Sequence, residues 1–248
     1  MNSWWKNAVG YQVYPRSFND SNGDGIGDIQ GIIEKLDYIK ELGVDFIWLN
    51  PIYTSPNYDN GYDISDYEDI QPEFGTMNDF KELLTKAHEK GMKLILDLVV
   101  NHTSDEHPWF KEAKKSRDNP YHEYYLWHDV MENQLPNDWQ SFFGGSVWTY
   151  NKQMEQAYFH VFSPHQPDLN WKNPKLRQEI YNMIRFWLEM GIDGFRLDAI
   201  SHIQKAPWDF KITDNPWEPF MNVDGIDTYM KELRTIFAEY GATTVGEA

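Results

Sequence analysis

The sequence has no cysteine among its 248 residues. This excludes a disulfide framework and a thiolate metal site, and it fits a reducing compartment. No run of about 18 apolar residues occurs, so no membrane-spanning helix is expected. The first residues, Met1 to Lys6, have no apolar stretch after the basic residue and do not predict a signal peptide. Together these absences predict a soluble, cytoplasmic protein.

Basic residues are scarce relative to acidic ones. The chain has 22 Lys and Arg against 39 Asp and Glu, a net charge of −17. Nucleic acid and anionic membranes would repel such a chain, so neither is an expected partner. Aromatic residues, in contrast, make up 16% of the sequence and include 11 Trp. Flat rings suit both a hydrophobic core and stacking on sugars, and composition alone does not separate the two interpretations.

A short motif of glutamate, any residue and glycine recurs four times and reveals the architecture. Each copy ends an amphipathic helical pattern and precedes a short apolar run, as expected of a helix that stops at glycine before a buried parallel strand. The four copies are Glu41–Gly43, Glu89–Gly91, Glu189–Gly191 and Glu239–Gly241. With a first strand near 8–14, the pattern predicts five strands joined by helices.

The interval between the second and third copies is about twice as long as the others. The extra segment, 101–168, lacks helical periodicity and is rich in aromatic residues and glycine. A stretch of that length without regular structure is uncommon unless it is functional or forms a subdomain. We therefore divide the chain into a first part of the strand–helix repeat (1–100), an inserted subdomain (101–168) and a continuation of the repeat through the fifth strand (169–248).

A polar residue follows each apolar run where the strand should end. These residues are Asn50, Asp97, Asp198 and Glu247. In a (β/α)₈ barrel the carboxyl ends of the strands form the active-site face, although doubly wound sheets also bind ligands there. An Asp and a Glu on one rim suit the cleavage of a glycosidic bond, which needs an acid and an anion. The alternative is that these side chains only cap the helices that follow.

Several local strings resemble the α-amylase superfamily, glycoside hydrolase family 13. The first shared region is matched by Asp97 to Ser104, and others by Gln166 to Asn170, Gly194 to Ala199 and Val245 to Glu247. The opening strings, Tyr14-Pro15-Arg16-Ser17-Phe18 and Asp20-Ser21-Asn22-Gly23-Asp24-Gly25, are typical of its oligo-1,6-glucosidase and α-glucosidase branch. The resemblance implies a (β/α)₈ TIM barrel, truncated here after about the fifth strand, with a small irregular subdomain inserted after strand 3.

The resemblance also implies roles for individual residues. Asp198 would be the nucleophile that forms a covalent glycosyl-enzyme, and Glu247 the acid/base. Arg196 lies two residues before Asp198, so both side chains share one strand face and Arg196 should keep the carboxylate ionised. The terminal glucose of an oligosaccharide or disaccharide would be held by Asp59, Tyr62, His102 and Phe162.

A separate segment has oxygen-bearing side chains at alternate positions with glycine between them. It resembles the first half of an EF-hand loop, although a turn rich in Asp and Asn without an ion would look similar. In the family this loop binds a structural Ca²⁺, and the corresponding ligands here would be Asp20, Asn22, Asp24, Asp28 and the carbonyl of Ile26.

The chain departs from the family pattern at its end, one residue after Glu247. A third catalytic aspartate and the remaining barrel strands would be expected beyond this point, so the chain alone is expected to have little activity. Ala199, directly after Asp198, favours α-1,4 over α-1,6 bonds. A sugar isomerase or transglucosidase remains an alternative. So does a non-catalytic module like the transporter heavy chains, which would lack the carboxylates retained here.

Overall fold

The computed structural model of the chain describes residues 4–131 and 134–247. Its α-helices within these ranges are α1 (Pro15–Phe18), α2 (Ile29–Glu34), α3 (Leu36–Glu41), α4 (Met77–Glu89), α5 (Pro108–Ala113), α6 (Pro174–Met190) and α7 (Ile226–Tyr240). Its strands are β1 (Gly10–Val13), β2 (Phe46–Leu49), β3 (Tyr53–Thr54), β4 (Asp66–Ile70), β5 (Lys93–Val99), β6 (Trp127–Asp129), β7 (Trp148–Asn151), β8 (Gln156–Phe159), β9 (Gly194–Asp198) and β10 (Thr243–Gly246).

Five strands form one sheet in the order β1-β2-β5-β9-β10, and every neighbouring pair runs parallel. Helices separate successive strands of this sheet along the chain, as parallel pairing requires. The α/β class and the five strands predicted from the sequence are therefore confirmed. The first strand lies within the predicted range of 8–14. Within the described residues, β1 and β10 each have a single neighbour in the sheet.

Helix α6 shows how the sequence specifies one of these units. Asn173 accepts a hydrogen bond from the amide of Lys175 at the amino end, and Pro174 occupies the first turn, where no amide partner is needed. Apolar residues spaced three and four apart are buried against the sheet. The helix ends at Gly191, whose φ of 106° is strained for any residue with a Cβ.

The first predicted helix is divided into α2 and α3, a difference that has a local cause. The side-chain amide of Asn19 donates to the carbonyl of Gly31, which would otherwise accept from Lys35 in a continuous helix. The amide of Lys35 bonds instead to the carbonyl of Ile32 at 3.0 Å. The hydrogen bond at Lys35 therefore spans three residues instead of the four of an α-helix, and this tighter turn separates α2 from α3.

The segment between β5 and α6 is more regular than the sequence predicted. It contains α5 and a three-stranded antiparallel sheet in the order β6-β8-β7. Trp139, Trp148 and Phe159 form a small apolar cluster there, but the cluster also includes Ala206 and Phe220 from the chain after β9. The packing thus crosses the predicted boundary at residue 168, and the division into three parts remains a prediction.

No helix among the described residues is long and apolar enough to cross a bilayer.

Candidate active site

The carboxyl ends of the parallel strands bring three acidic side chains around one arginine. Arg196 on β9 is paired in register with Asp97 on β5, so the two side chains leave adjacent strands side by side. Arg196 Nη1 donates to Asp97 Oδ1 at 2.9 Å and also to Asp198. Its Nη2 lies 2.8 Å from Glu247 Oε1, just after β10. The structure therefore gathers Asp198, Glu247 and Arg196 as the sequence predicted.

Asp97 is also a member of this cluster, although the sequence analysis noted it only as a strand end and as the start of the first shared region. Its side chain is fully buried and accepts from Trp48 Nε1 at 3.0 Å and from the Tyr62 hydroxyl at 3.3 Å. Burial raises the pKa of Asp97 to about 6, against the opposing effect of Arg196. Its position opposite Arg196 could have been inferred only by aligning the two strands.

The cluster carries more negative charge than Arg196 alone can balance. Burial raises the pKa of Asp198 to about 7, repulsion from Asp97 adds to the rise, and the Arg196 charge opposes it. The prediction that Arg196 would keep Asp198 ionised paired this guanidinium with one carboxyl group. In the structure three carboxyl groups contact it. The site therefore holds a proton close to neutral pH.

Glu247 is more exposed than the two aspartates and is oriented by the turn after β9. About half of its side chain is accessible, and Oε2 accepts from the amide of Ala199 at 2.9 Å. Ala199 has φ 45° and ψ 30°, a left-handed conformation that is unusual for a residue with a Cβ. This turn, directly after Asp198, directs the backbone N–H of Ala199 at Glu247.

The predicted sugar-contacting residues lie next to this cluster in a continuous series. Tyr62 is hydrogen-bonded to Asn50 and Asp97, and its carbonyl is 3.1 Å from His102 Nε2. Burial lowers the pKa of His102 to about 3, so the ring is neutral at physiological pH. The ring of Phe162 packs edge-on against His102, with their centroids 5.3 Å apart.

Asp59 is joined to the same series through a residue the sequence analysis did not assign. Gln166 Nε2 donates to Asp59 Oδ2 at 2.9 Å and lies 3.1 Å from His102 Nε2. Gln166 is fully buried, and burial raises the pKa of Asp59. All four predicted sugar-contacting residues are thus connected to Arg196 through direct contacts or through Asp97 and Gln166.

A buried ion pair beside the site was also missed. Lys205 Nζ lies 2.7 Å from Asp168 Oδ2 and donates to Asn101 Oδ1 at 2.8 Å and to the carbonyl of His202. Burial lowers the pKa of Lys205 and raises that of Asp168. Lys205 thus ties the segment after β9 to Asp168, which lies between β8 and α6, and through Asn101 to the chain just after β5. Nothing in the local pattern around Lys205 indicates this contact.

The predicted calcium loop is ordered by its own backbone. Asp20 accepts from the amides of Gly23 and Gly25, and these bonds lower the pKa of Asp20. Asp28 accepts from Ser21 and from the amide of Gly31, where it caps α2. Across the described residues no three acidic or histidine side chains gather closely enough to hold an ion. The oxygen-only set of donors does suit Ca²⁺, because carboxylate and carbonyl oxygens are its ligands and each has a further lone pair.

Comparison with known proteins identifies the family. Residues 12–248 match the model of the α-amylase catalytic domain. The chain belongs to the α-amylase family. Its five-stranded parallel sheet is therefore part of a TIM-barrel-type catalytic domain.

Two curated relatives of the chain carry names that state different hydrolase activities. The chain is 54% identical to oligo-1,6-glucosidase of Parageobacillus thermoglucosidasius, covering 98% of this chain and 45% of that protein. It is 50% identical to trehalose-6-phosphate hydrolase of Bacillus subtilis, covering 98% of this chain and 44% of that protein. The chain thus spans less than half the length of these relatives.

Two solved structures share this fold. The isomaltulose synthase SmuA from Protaminobacter rubrum superposes with a TM-score of 0.95 at 50% identity, over 100% of this chain and 45% of that one. Trehalose-6-phosphate hydrolase of Bacillus licheniformis gives a TM-score of 0.95 at 50% identity, over 99% of this chain and 45% of that one.

Proposed function

We propose that this chain carries the nucleophile and the acid/base of an enzyme that removes terminal α-linked glucose with retention of configuration. The observation that carries the proposal is the arrangement of Asp97, Asp198 and Glu247 around Arg196 at the carboxyl ends of β5, β9 and β10. Relatives at about 50% identity include oligo-1,6-glucosidases and an α-glucosidase. Oligosaccharides or disaccharides are the proposed substrates.

In the first step, ionised Asp198 attacks the anomeric carbon while Glu247 gives its proton to the leaving oxygen. The bond to the leaving group breaks as the glycosyl-aspartate ester forms. Arg196 contacts all three carboxyl groups, and its charge stabilises Asp198 as the carboxylate that the attack requires. About half of the Glu247 side chain is accessible, so solvent can reach its carboxyl group.

In the second step, Glu247 takes a proton from water as the water oxygen attacks the same carbon, and Asp198 departs as a carboxylate. Neutral His102 and Asp59 are proposed to bind hydroxyl groups of the glucose, with Tyr62 and Phe162 stacking against its ring. Because burial keeps His102 uncharged, it can take part in hydrogen bonds without adding positive charge to the site.

Two observations on the preferred glycosidic bond point in different directions. Ala199 favours α-1,4-linked substrates, whereas several relatives at 50% identity or more are oligo-1,6-glucosidases. The similarity to an isomaltulose synthase supports a second candidate, in which a sugar hydroxyl intercepts the glycosyl-enzyme in place of water. Product analysis on maltose, isomaltose and sucrose distinguishes hydrolysis, which releases free glucose, from isomerisation, which yields a rearranged disaccharide.

The catalytic roles are tested with a nitrophenyl α-glucoside, whose leaving group departs without protonation. The assay uses the 248-residue chain and a fusion to the unmatched part of the Parageobacillus oligo-1,6-glucosidase. Asp198→Asn should abolish the release of nitrophenol. Glu247→Gln should release a first equivalent and then stall, because deglycosylation loses a factor of about 10²–10⁴ without its base. First-formed β-glucose, or a burst in Asp198→Asn, would refute the assignment.

We also propose that the Asp20–Asp28 loop binds a structural Ca²⁺ remote from the chemistry. Added Ca²⁺ at about 100 times its Kd should stabilise the fold by about 2.7 kcal/mol, and chelator should reverse the gain. Asp24→Ala should remove this response. Asp28→Ala should also lower stability in chelator, by about 0.5–2 kcal/mol, because it removes the cap of α2. A midpoint of thermal unfolding that ignores both Ca²⁺ and chelator would favour the ion-free turn.

A further inference from the structure

Two rings from distant parts of the chain stack beside the proposed sugar pocket. Tyr58 follows β3 and His165 follows β8, yet their ring centroids lie 3.7 Å apart with an interplanar angle of 2°. Tyr58 is 59% exposed, although one face of its ring is covered by His165. An exposed tyrosine could adopt many rotamers, so this contact fixes two loops relative to each other at a cost in side-chain entropy.

Each ring is held by its own loop. Both carboxylate oxygens of buried Asp63 accept from the amides of Tyr58 and Asp59, each at 2.9 Å. His165 Nδ1 lies 2.9 Å from Asp105 Oδ2, and the amide of Asp105 donates to the carbonyl of His165 at 2.9 Å. The stacked rings therefore connect two segments that are already ordered locally.

The residues that follow the two rings meet among the proposed sugar contacts. Asp59 follows Tyr58, Gln166 follows His165, and Gln166 donates to Asp59 at 2.9 Å. The same Gln166 nitrogen lies 3.1 Å from His102. Tyr58 and Asp59 are joined by a single peptide unit, and so are His165 and Gln166. A shift of one loop against the other would therefore separate Asp59 from Gln166.

We propose that Tyr58 and His165 form a latch whose stacking positions Asp59 and Gln166, and so fixes the end of the pocket that recognises the terminal glucose. This proposal rests on the proposed function, because that function identifies Asp59 as a sugar contact. Asp59 is connected to Arg196 through Tyr62, whose amide donates to the carbonyl of Asp59 and whose hydroxyl donates to Asp97. Tyr58 and His165 are positioning residues for this recognition.

The latch itself is tested by hydrogen exchange on the 248-residue chain, without any activity. Tyr58→Leu and His165→Leu should speed exchange in peptides covering 57–62 and 161–167 by about tenfold. Tyr58→Phe keeps the ring and should behave as the unaltered chain. A matched control is His88→Leu, which removes a similar exposed contact, His88 to Asp193 at 2.7 Å, at the amino ends of the strands. Unchanged exchange in both Leu variants would overturn the latch.

Its role in recognition is tested by titrating the same variants with glucose. Tyr58→Leu and His165→Leu should weaken binding by about fivefold to tenfold, Tyr58→Phe should restore it, and His88→Leu should leave it unchanged. Equal affinity in all variants would overturn the positioning role. If the unaltered chain itself binds no glucose, the proposed function fails for this chain, and the exchange experiment still decides whether the latch exists.

Discussion

At the scale of single residues, the site depends on how one guanidinium is shared. Arg196 contacts Asp97, Asp198 and Glu247, and its charge lies 5.1 Å from the ring centroid of Trp48. Burial of this cluster raises the pKa of Asp97 and of Asp198 above the usual range of a carboxyl group, as is common at functional sites. The same feature should affect stability as the pH changes.

The pKa of Asp97 is raised to about 6 and that of Asp198 to about 7, from an ordinary value near 3.8. The folded state therefore binds more protons than the unfolded state between about pH 4 and pH 7, and the contribution of these groups to stability falls as pH rises through that window. Asp97→Asn should remove part of this loss. The free energy of unfolding of this variant, relative to that of the unaltered chain, should increase by about 1–3 kcal/mol when the pH is raised from 5 to 8, as measured by urea unfolding.

A control for this experiment is Asp37→Asn, which changes an exposed aspartate on α3 that is paired with Lys90. It should shift the unfolding free energy by less than about 0.5 kcal/mol at either pH. Parallel stability curves for Asp97→Asn and the unaltered chain would show that the buried cluster does not retain a proton in the folded state.

Ala199 is a second residue whose backbone matters, because its left-handed conformation places its amide on Glu247. A β-branched side chain is strained there, so Ala199→Val should lower stability by about 1–2 kcal/mol. Ala199→Gly should be neutral or stabilise by up to about 1 kcal/mol, since glycine adopts this conformation freely. Thermal unfolding checks both variants. Equal midpoints for the Val and Gly variants would show that the turn is unstrained.

At the scale of elements, the sequence predicted what depends on local periodicity. The amphipathic pattern of α6, its stop at Gly191 and the apolar run before Asp198 are all contained in short segments, so the helix, the turn and the strand could be read in order. The parallel pairing then placed the strand ends on one rim without knowledge of any long-range contact.

What the sequence did not reveal depends on contacts between residues far apart in the chain. Lys205 meets Asn101 across 104 positions, and Gln166 meets Asp59 across 107. The break between α2 and α3 likewise depends on Asn19, which lies outside the helix. No spacing rule links such residues, because their proximity results from the whole arrangement of strands.

The Lys205–Asp168 pair is a long-range connection between elements, since it holds the segment after β9 against the segment between β8 and α6. Both side chains are buried, so Lys205→Met should leave Asp168 as an unpaired charge and cost about 3–5 kcal/mol. Adding Asp168→Asn should recover part of that loss, because the amide oxygen can still accept from Val161. Chemical unfolding of the two variants measures the difference.

The matched comparison is Arg177→Met, which removes a partly exposed ion pair with Glu232 between α6 and α7. Its cost should be near 1 kcal/mol, because solvent screens the remaining charge. If Lys205→Met were no more destabilising than Arg177→Met, the buried pair would not hold the two segments together.

At the scale of the whole molecule, the sheet presents two edges. Within the described residues β1 and β10 each pair with one strand. Val9 directly precedes β1 and Val245 lies on β10, and both residues are about half exposed. A cavity lined by apolar residues of α7 and the amino-terminal turn, including Trp4, Trp5, Leu233 and Phe237, opens near the same face. Unpaired edges next to exposed apolar surface favour association between chains.

We therefore expect the purified 248-residue chain to self-associate at micromolar concentration. Val245→Lys places a charge on the exposed edge strand and should shift the population toward monomer, because lysine on an edge opposes further pairing. Tyr38→Lys makes the same change on the exposed surface of α3, away from either edge, and should leave association unaltered. Light scattering after size-exclusion chromatography measures the mass of each variant. A monodisperse monomer for the unaltered chain would mean that the edges are protected in solution. Loss of association in the Tyr38→Lys variant would show that charge alone, and not the strand edge, controls it.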